Sequence, residues 1–304
     1  MPLLVIGTLA YDNVETQNDK REDLLGGSAM YCAVAASLMR KPGDPGPRLV
    51  GVVGEDFRKF DLEALQGLGI DTEGVEVAPG RTFRWGGRYE PDWNTRHTTF
   101  TELNVLEHFD PKVPEAYRDS RFVFLANAHP AVQERALDQV HGKPFVVADT
   151  MNLWIDVALD DLKHLLKRVD GLILNDEEAR LLTGKSNLIQ AAHQVLELGP
   201  RYVILKKGEH GAFLMGEDVH FSLPAYPITE VIDPTGAGDC FAGGFMGSLV
   251  RDGDVSPAAL RRAMLFGTVT ASFCVQGFSI ETLTPRTADH LQARYEELAS
   301  ICTI

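Results

Sequence analysis

The chain opens on Leu3-Leu4-Val5-Ile6, an unbroken apolar run closed by Gly7, and a run of that kind predicts a strand buried on both faces. A polar stretch, residues 11–23, gives way to the small residues Gly26-Gly27-Ser28-Ala29-Met30. From Ser28 the spacing becomes helical, with Ala33, Val34, Ser37 and Leu38 on one face, and three prolines with two glycines in residues 41–47 stop that helix. Residues 48–53 predict a second buried strand and 57–68 a helix ended by Gly69. Over residues 81–104 the texture changes. Thr82, Phe83, Arg84 and Trp85, then His97 to Thr101, mix aromatic and β-branched residues with charge around Gly86-Gly87, which predicts a half-exposed β ribbon in a small appended layer.

Beyond Phe109 the pattern settles into a rhythm. Strands are predicted at 122–126, 145–148, 172–174 and 202–205, and helices at 130–140, 159–168, 176–182 and 188–198. Near-continuous apolar strands alternating with helices predict a parallel sheet covered on both faces. A hairpin follows (212–215 with 219–221). Helices then close the chain at 238–250, at 257–274 behind the N-cap candidate Ser256, and up to about residue 300. With no internal repeat, the expectation is one α/β domain over residues 1–304, its central and mostly parallel sheet flanked by helices on both faces.

Composition narrows the function classes. Apolar residues at 44% and charged residues at 24% suit a globular core and exclude disorder. The net charge of −14 repels phosphate backbones, so neither nucleic acid nor an anionic membrane is an expected partner. No apolar run nears the ~20 residues of a membrane helix, and no charged-then-apolar leader precedes Leu3, so the expected location is the cytoplasm. Cys32, Cys240, Cys274 and Cys302 form no C-x-x-C pair, and His97, His108, His129 and His141 share no ligand spacing. No G-x-S-x-G suggests a hydrolase. Thr183-Gly184-Lys185-Ser186 imitates the end of a phosphate-binding P-loop, but Ala179 stands where its first glycine belongs.

The sharpest chemistry lies in Asp233-Pro234-Thr235-Gly236-Ala237-Gly238-Asp239-Cys240-Phe241-Ala242-Gly243-Gly244-Phe245. Pro234 and Gly236 force a loop, and Phe241, Phe245 and Leu249 have helical spacing. Gly236, Ala237 and Gly238 therefore open a helix, where unpaired amides and the helix dipole attract an anion. Asp239 puts a carboxylate beside that anion hole. A first-turn acid is often a plain dipole partner; here it also suits a base that accepts a proton from a hydroxyl attacking a bound phosphoryl group.

This run resembles the D-T-x-G-A-G-D signature of ribokinase-like carbohydrate kinases, the PfkB family. Five further blocks resemble that family in order: Ile6-Gly7-Thr8-Leu9-Ala10-Tyr11-Asp12, Gly26-Gly27-Ser28-Ala29, Val53-Gly54-Glu55-Asp56-Phe57, Leu174-Asn175-Asp176-Glu177-Glu178 and Lys206-Lys207-Gly208-Glu209-His210-Gly211. The resemblance implies transfer of the γ-phosphoryl of ATP to a hydroxyl of a sugar or similar alcohol. Asp239 is then the base, for which an ordinary Asp pKa of ~4 suffices, and Gly236, Ala237 and Gly238 form the anion hole. Asn175 and Glu178 hold Mg²⁺ through water, and Lys206, Gly208, Gly211 and Gly277 border the nucleotide. Asp12, Gly26 and Gly27 grip acceptor hydroxyls. Asp233 and Thr235 fall where some members hold a monovalent cation such as K⁺, completed by the backbone of residues 275–277.

The same resemblance makes residues 12–25 and 80–105 a β-sheet lid, through which two copies pair in some relatives. Arg81, Arg84, Arg88 and Arg96 in that lid fit an acidic or phosphorylated acceptor or a merely solvated face. Trp85, Tyr89 and Trp93 fit a cover over substrate. Tyr31 stands where many members carry Asn, which points away from a ribose-like sugar toward a bulkier acceptor such as a nucleoside. A sugar, polyol or nucleoside is thus the expected substrate class, with a catalytically inactive ligand-binding relative as the non-enzymatic alternative.

Overall fold

The computed structural model describes residues 2–303. In chain order the elements are β1 (Leu3–Ile6), β2 (Ala10–Glu15), β3 (Lys20–Gly26), α1 (Ser28–Ser37), β4 (Arg48–Gly54), α2 (Lys59–Gly67), β5 (Asp71–Ala78), β6 (Arg84–Tyr89) and β7 (Arg96–Glu102). They continue as β8 (Phe122–Leu125), α3 (Pro130–Leu137), β9 (Phe145–Asp149), α4 (Asn152–Val157), α5 (Leu159–Leu166), β10 (Gly171–Asn175), α6 (Asp176–Thr183) and α7 (Leu188–Glu197). The last are β11 (Tyr202–Lys206), β12 (Ala212–Gly216), β13 (His220–Leu223), α8 (Ala237–Asp252), α9 (Pro257–Cys274) and α10 (Ala288–Ile301).

Nine strands form the main sheet in the order β13-β12-β11-β10-β9-β8-β1-β4-β5. All neighbours from β5 to β11 pair in parallel, and β12 and β13 close one edge antiparallel. Alternate residues of each strand feed opposite layers, as the strand period requires. Leu3 and Val5 join Tyr31, Phe245 and Phe266 of α1, α8 and α9. Leu4 and Ile6 join Ala136, Ile155, Leu162, Ala179 and Val195 of α3 to α7. Both faces are covered, which is why the strands read as unbroken apolar runs.

Two elements lie outside the sequence expectations. β5 is an edge strand whose alternating acids and exposed Val77 carry no buried-strand signature, and α4 is too short for a helical period to register. The expected ribbon is present and its partner strands come from residues 10–26: β3-β2-β6-β7 form a separate sheet standing on the carboxyl end of β1. Val14 and Tyr89 of this sheet form a small apolar cluster with Phe278 from the loop after α9, flanked by Leu24, Trp85 and Ile232.

β1 is also where the strand order reverses, since the chain first builds outward through β4 and β5 and then returns to β8 on the other side. In open parallel sheets, crevices for ligands form at the carboxyl ends of the strands at such a switch point. Among the described residues no helix is long and apolar enough to cross a membrane.

Candidate active site

The carboxyl ends of the strands deliver the polar residues. Asp149 ends β9, Asn175 ends β10 and Lys206 ends β11, while Asp12 comes from β2 of the lid, which leaves the end of β1. α8 brings its amino end to the same place. Gly236 takes φ 76°, a left-handed conformation that disfavours a side chain, and a Cβ there would lie 2.6 Å from the Tyr31 ring. The Ala237 N–H donates to Pro234 O at 3.1 Å, and Cys240 N–H donates to Gly236 O at 2.8 Å. The amides of Gly236 and Gly238 have no backbone acceptor among the described residues, so they are the donors left for an anion. Ala237, expected as a third, is already engaged.

Asp239 stands in the first turn of α8, half-buried at the edge of the crevice. Burial pushes its carboxyl up to about 7; the neighbouring Asp149 adds to the rise, while Lys206 and Arg96 oppose it. An ordinary carboxylate would suffice for the base, but the protein around the crevice disfavours a charge there. Lys206 Nζ is 3.5 Å from Asp149 Oδ2 and would be 2.8 Å from a Cβ on Gly238, so the ammonium sits against the opening turn of α8. Burial works to lower that ammonium's pKa, but Asp149, Glu178 and Asp239 outweigh it and hold Lys206 above its ordinary range.

Asn175 and Glu178 form a capping box at the start of α6. Glu178 N–H donates to Asn175 Oδ1 at 2.8 Å, and Asn175 N–H donates to Glu178 Oε2 at 2.7 Å. Burial pushes Glu178 up to about 7, with Lys206 lowering it and Asp149 raising it. The cap leaves Glu178 Oε1 free, and no group of three His, Cys, Asp or Glu forms a metal cage among the described residues. That donor set fits a cation that keeps most of its water, as Mg²⁺ does.

On the acceptor side, Asp12 is buried under the lid, and Gly26 is tight against it: a Cβ there would fall 2.0 Å from Asp12 Oδ2. Burial, then the charges of Asp233 and Asp239, push the Asp12 carboxyl up to about 8, and the Gly27 amide partly offsets them. The carboxyl of Asp12 in β2 thus feels two others from the run that opens α8. Tyr31, expected on the acceptor side, is packed against the Gly236 turn at 2% exposure. Its hydroxyl is raised by burial and by Asp12.

Asp233 Oδ1 accepts from Thr235 N–H at 2.8 Å, while its buried Oδ2 has no partner, and burial pushes the group up to about 6. A buried orphan oxygen of this kind fits a monovalent cation. The carbonyl of Val275 already accepts from the Ile232 and Asp233 amides, and Gly277 lies in the loop just beyond. Gly208 and Gly211 shape the turn after β11, where Lys207 N–H donates to Gly211 O.

The lid reaches this crevice. Thr235 Oγ1 donates to Tyr89 Oη at 3.2 Å, and a Cβ on Gly208 would stand 2.6 Å from Asn94 Oδ1. Three of the four lid arginines are committed elsewhere. Arg81 faces Asp56 and Glu102 at 3.9 Å each, Arg84 pairs with Asp23 and with Asp56 at 3.4 Å, and Arg88 pairs with Glu90 at 3.5 Å. A patch of four arginines for an acidic acceptor is therefore not what the lid presents. Asp149 and Tyr89 were not singled out as polar groups of the site. Asp149 could have been found, since it directly follows the last apolar residue of a parallel strand.

The match of residues 116–286 to the model of the "pfkB family carbohydrate kinase" spans more than half of the sequence. The chain belongs to the pfkB family. A cytidine kinase of Thermococcus kodakarensis is 30% identical to this pfkB member over 258 residues, covering 83% of this chain and 89% of that protein. Among solved structures, the nucleoside kinase of Burkholderia thailandensis in complex with inosine superposes with a TM-score of 0.79 at 22% identity, covering 98% of both chains. A putative ribokinase II from E. coli in complex with ATP and Mg²⁺ gives a TM-score of 0.79 at 18% identity, covering 97% of this chain and 99% of that one. The α/β architecture with its smaller second sheet is the ribokinase-type fold of these neighbours.

Proposed function

We infer that this pfkB-family kinase transfers the γ-phosphoryl group of ATP, with Mg²⁺, to a hydroxyl of a nucleoside. The observation that carries the phosphotransfer is the opening of α8: free Gly236 and Gly238 amides, Lys206 Nζ against Gly238, and the Asp239 carboxyl one residue on. Asp239 accepts the proton of the attacking hydroxyl, the amides meet the charge on the migrating group, and Lys206 steadies the nucleotide phosphates. Mg²⁺, held through water by Glu178 at the Asn175 cap, supplies charge neutralisation on those phosphates. Asp12 and the Gly26-Gly27 backbone take the acceptor's hydroxyls. Asp233 Oδ2 and Thr235 offer a place for K⁺.

Two things favour a nucleoside over a free sugar. Two of the three relatives above carry cytidine or nucleoside kinase names, and the cluster between the lid and the loop after α9 contains the aromatic rings of Trp85, Tyr89 and Phe278, which suit a base. A free sugar or polyol remains the second reading, supported by the hydroxyl grip of Asp12. An MgATP-dependent assay over cytidine, inosine, adenosine, pentoses, hexoses, inositol and hexose phosphates separates them. A nucleoside is expected to give the highest kcat/KM; a panel in which only sugars react overturns that assignment. Asp239→Asn should lose at least ~10²-fold in kcat on the best acceptor, and a variant as fast as the parent removes Asp239 from the role of base.

A further inference from the structure

The root of the lid is held by a hydrogen-bond network around Tyr11, the residue before Asp12 in β2. Tyr11 is buried, and its ring lies between the guanidinium groups of Arg58, 4.3 Å from the ring centroid, and Arg84, 5.3 Å from it. Phe57 stacks on the same ring at 5.4 Å. The Tyr11 hydroxyl donates to Asp61 Oδ2 at 2.8 Å and accepts from Arg58 N–H at 2.8 Å and from Arg58 Nε at 3.1 Å. One bond donated and two accepted leave this hydroxyl nothing further to offer. Arg58 Nε also donates to Asp61 Oδ2 at 2.7 Å, so hydroxyl, guanidinium and carboxylate close a triangle. Burial, opposed by the Arg58 amide and aided by Asp61, pushes the hydroxyl up to about 12 and keeps it a donor.

The network reaches three strands of the lid. Arg58 Nη2 donates to Asp23 O in β3 at 2.9 Å, and Arg84 of β6 pairs with Asp23 and with Asp56 Oδ2 at 3.4 Å. Asp23 lies where β3 carries one residue more than β2, and its φ of 53° is left-handed. Its N–H donates to Asn13 Oδ1 at 3.0 Å, so the amide, carbonyl and carboxylate of this bulge are all held. A bulge beside a site re-aims the side chains next to it, and the residue paired with Leu24, just past the bulge, is Asp12. Neighbouring side chains of a strand point to opposite faces. Tyr11 turns to Arg58 and Asp61, and Asp12 turns the other way, to Gly26 and the crevice. Arg58 caps α2 and Asp61 stands in its first turn, so the triangle ties β2 to the main body of the protein.

We propose that Tyr11 is a positioning residue for the acceptor: its clamp on Arg58 and Asp61 fixes the backbone of β2 and with it the direction of the Asp12 carboxyl. Tyr11 faces away from the crevice and acts only through Asp12. Asp12 holds the acceptor's hydroxyls before and during transfer alike, so a loss of its direction costs binding rather than turnover. This role rests on the reading of Asp12 as the acceptor's grip but not on which alcohol is phosphorylated, so each variant is assayed on whichever acceptor the parent uses best.

Tyr11→Phe keeps the ring between its two guanidinium groups and removes only the hydroxyl. The acceptor's KM should rise about 10-fold, within what a small misplacement of a positioning group costs, while kcat and the KM for MgATP stay within about 2-fold of the parent. Asp61→Ala, which takes away the hydroxyl's partner in α2, should show the same split. A double-mutant cycle then separates aiming from general loosening. On an Asp12→Ala background, Tyr11→Phe should change the acceptor's KM by less than about 2-fold, because the group it aims is gone. An equal rise on both backgrounds, or a rise in the MgATP KM as large as the acceptor's, overturns the proposal. A readout free of turnover is amide hydrogen exchange in the ligand-free protein: β2 should exchange at least ~5-fold faster in Tyr11→Phe, with β1 and β4 unchanged. Exchange in β2 that matches the parent also overturns it. A parent that phosphorylates no alcohol sinks the kinase reading, and the exchange comparison still decides whether Tyr11 clamps β2.

Discussion

Asp239 sits where a helix amino end would stabilise its charge, yet burial and Asp149 together push its pKa up to about 7. A base with that pKa is stronger than a surface carboxylate and is still half-ionised near neutrality, which is the compromise general-base catalysis favours. The direction of the pH dependence follows. Below about 7 the proton is already on Asp239 and it cannot accept another, so kcat/KM should fall as pH drops from about 7 and level off above it. Glu178 is also raised to about 7, so the falling limb should have a slope of at least one. The residual activity of Asp239→Asn should lose the part of that slope that belongs to the base. A parent profile flat between about pH 5.5 and 8 would mean that the crevice holds this carboxyl no higher than water does.

α6 shows how one short element serves stability and chemistry together. Asn175 Oδ1 and Glu178 Oε2 are spent on each other's amides, which fixes the carboxylate and leaves its second oxygen outside the cap. Asn175→Ala should cost about 1 kcal/mol in chemical denaturation and raise the Mg²⁺ concentration for half-maximal rate several-fold, because Glu178 loses its partner. Asn175→Asp, which retains an acceptor for the Glu178 amide, should restore the stability. An unchanged Mg²⁺ requirement in Asn175→Ala would leave the pair a cap and nothing more. The pattern of Asn175 and Glu178 was readable from their spacing at a helix start, as were the buried strands and α8, because each announces itself within a few residues. β5 and α4 were not, since an edge strand and a six-residue helix bury too little to leave a period. Nor could the sequence say which of four lid arginines lacks a carboxylate partner: Glu90 stands two residues from Arg88, but Asp23, Asp56 and Glu102 reach Arg84 and Arg81 only because β3, β7 and the turn after β4 fold against β6. The packing of Tyr31 against Gly236 was illegible for the same reason, as that contact joins distant parts of the chain.

At the level of the whole molecule, a sheet that aims several strand ends at one crevice gathers acids that repel one another. Asp12, Asp233, Asp239 and Glu178 are all raised above their ordinary values, to about 8, 6, 7 and 7. The folded protein therefore holds more protons than the unfolded chain over the window from about pH 4 to 8, and stability must fall as pH climbs through it. Below that window all four are protonated in both states and the penalty vanishes. The ligand-free protein should accordingly show a Tm that declines steadily from about pH 5 to 8, and Asp12→Asn should flatten the decline most, since Asp12 is raised furthest. The net charge of −14 invites a rival cause in general surface repulsion. Salt separates the two: at about 0.5 M NaCl exposed charges are screened, while carboxyls buried in the crevice are not. The decline should persist in high salt and diminish with MgATP, whose cation offsets the crevice acids and whose binding favours the folded state. A slope that salt abolishes would place the strain on the surface, and the raised carboxyls of the crevice would then owe nothing to the fold that assembles them.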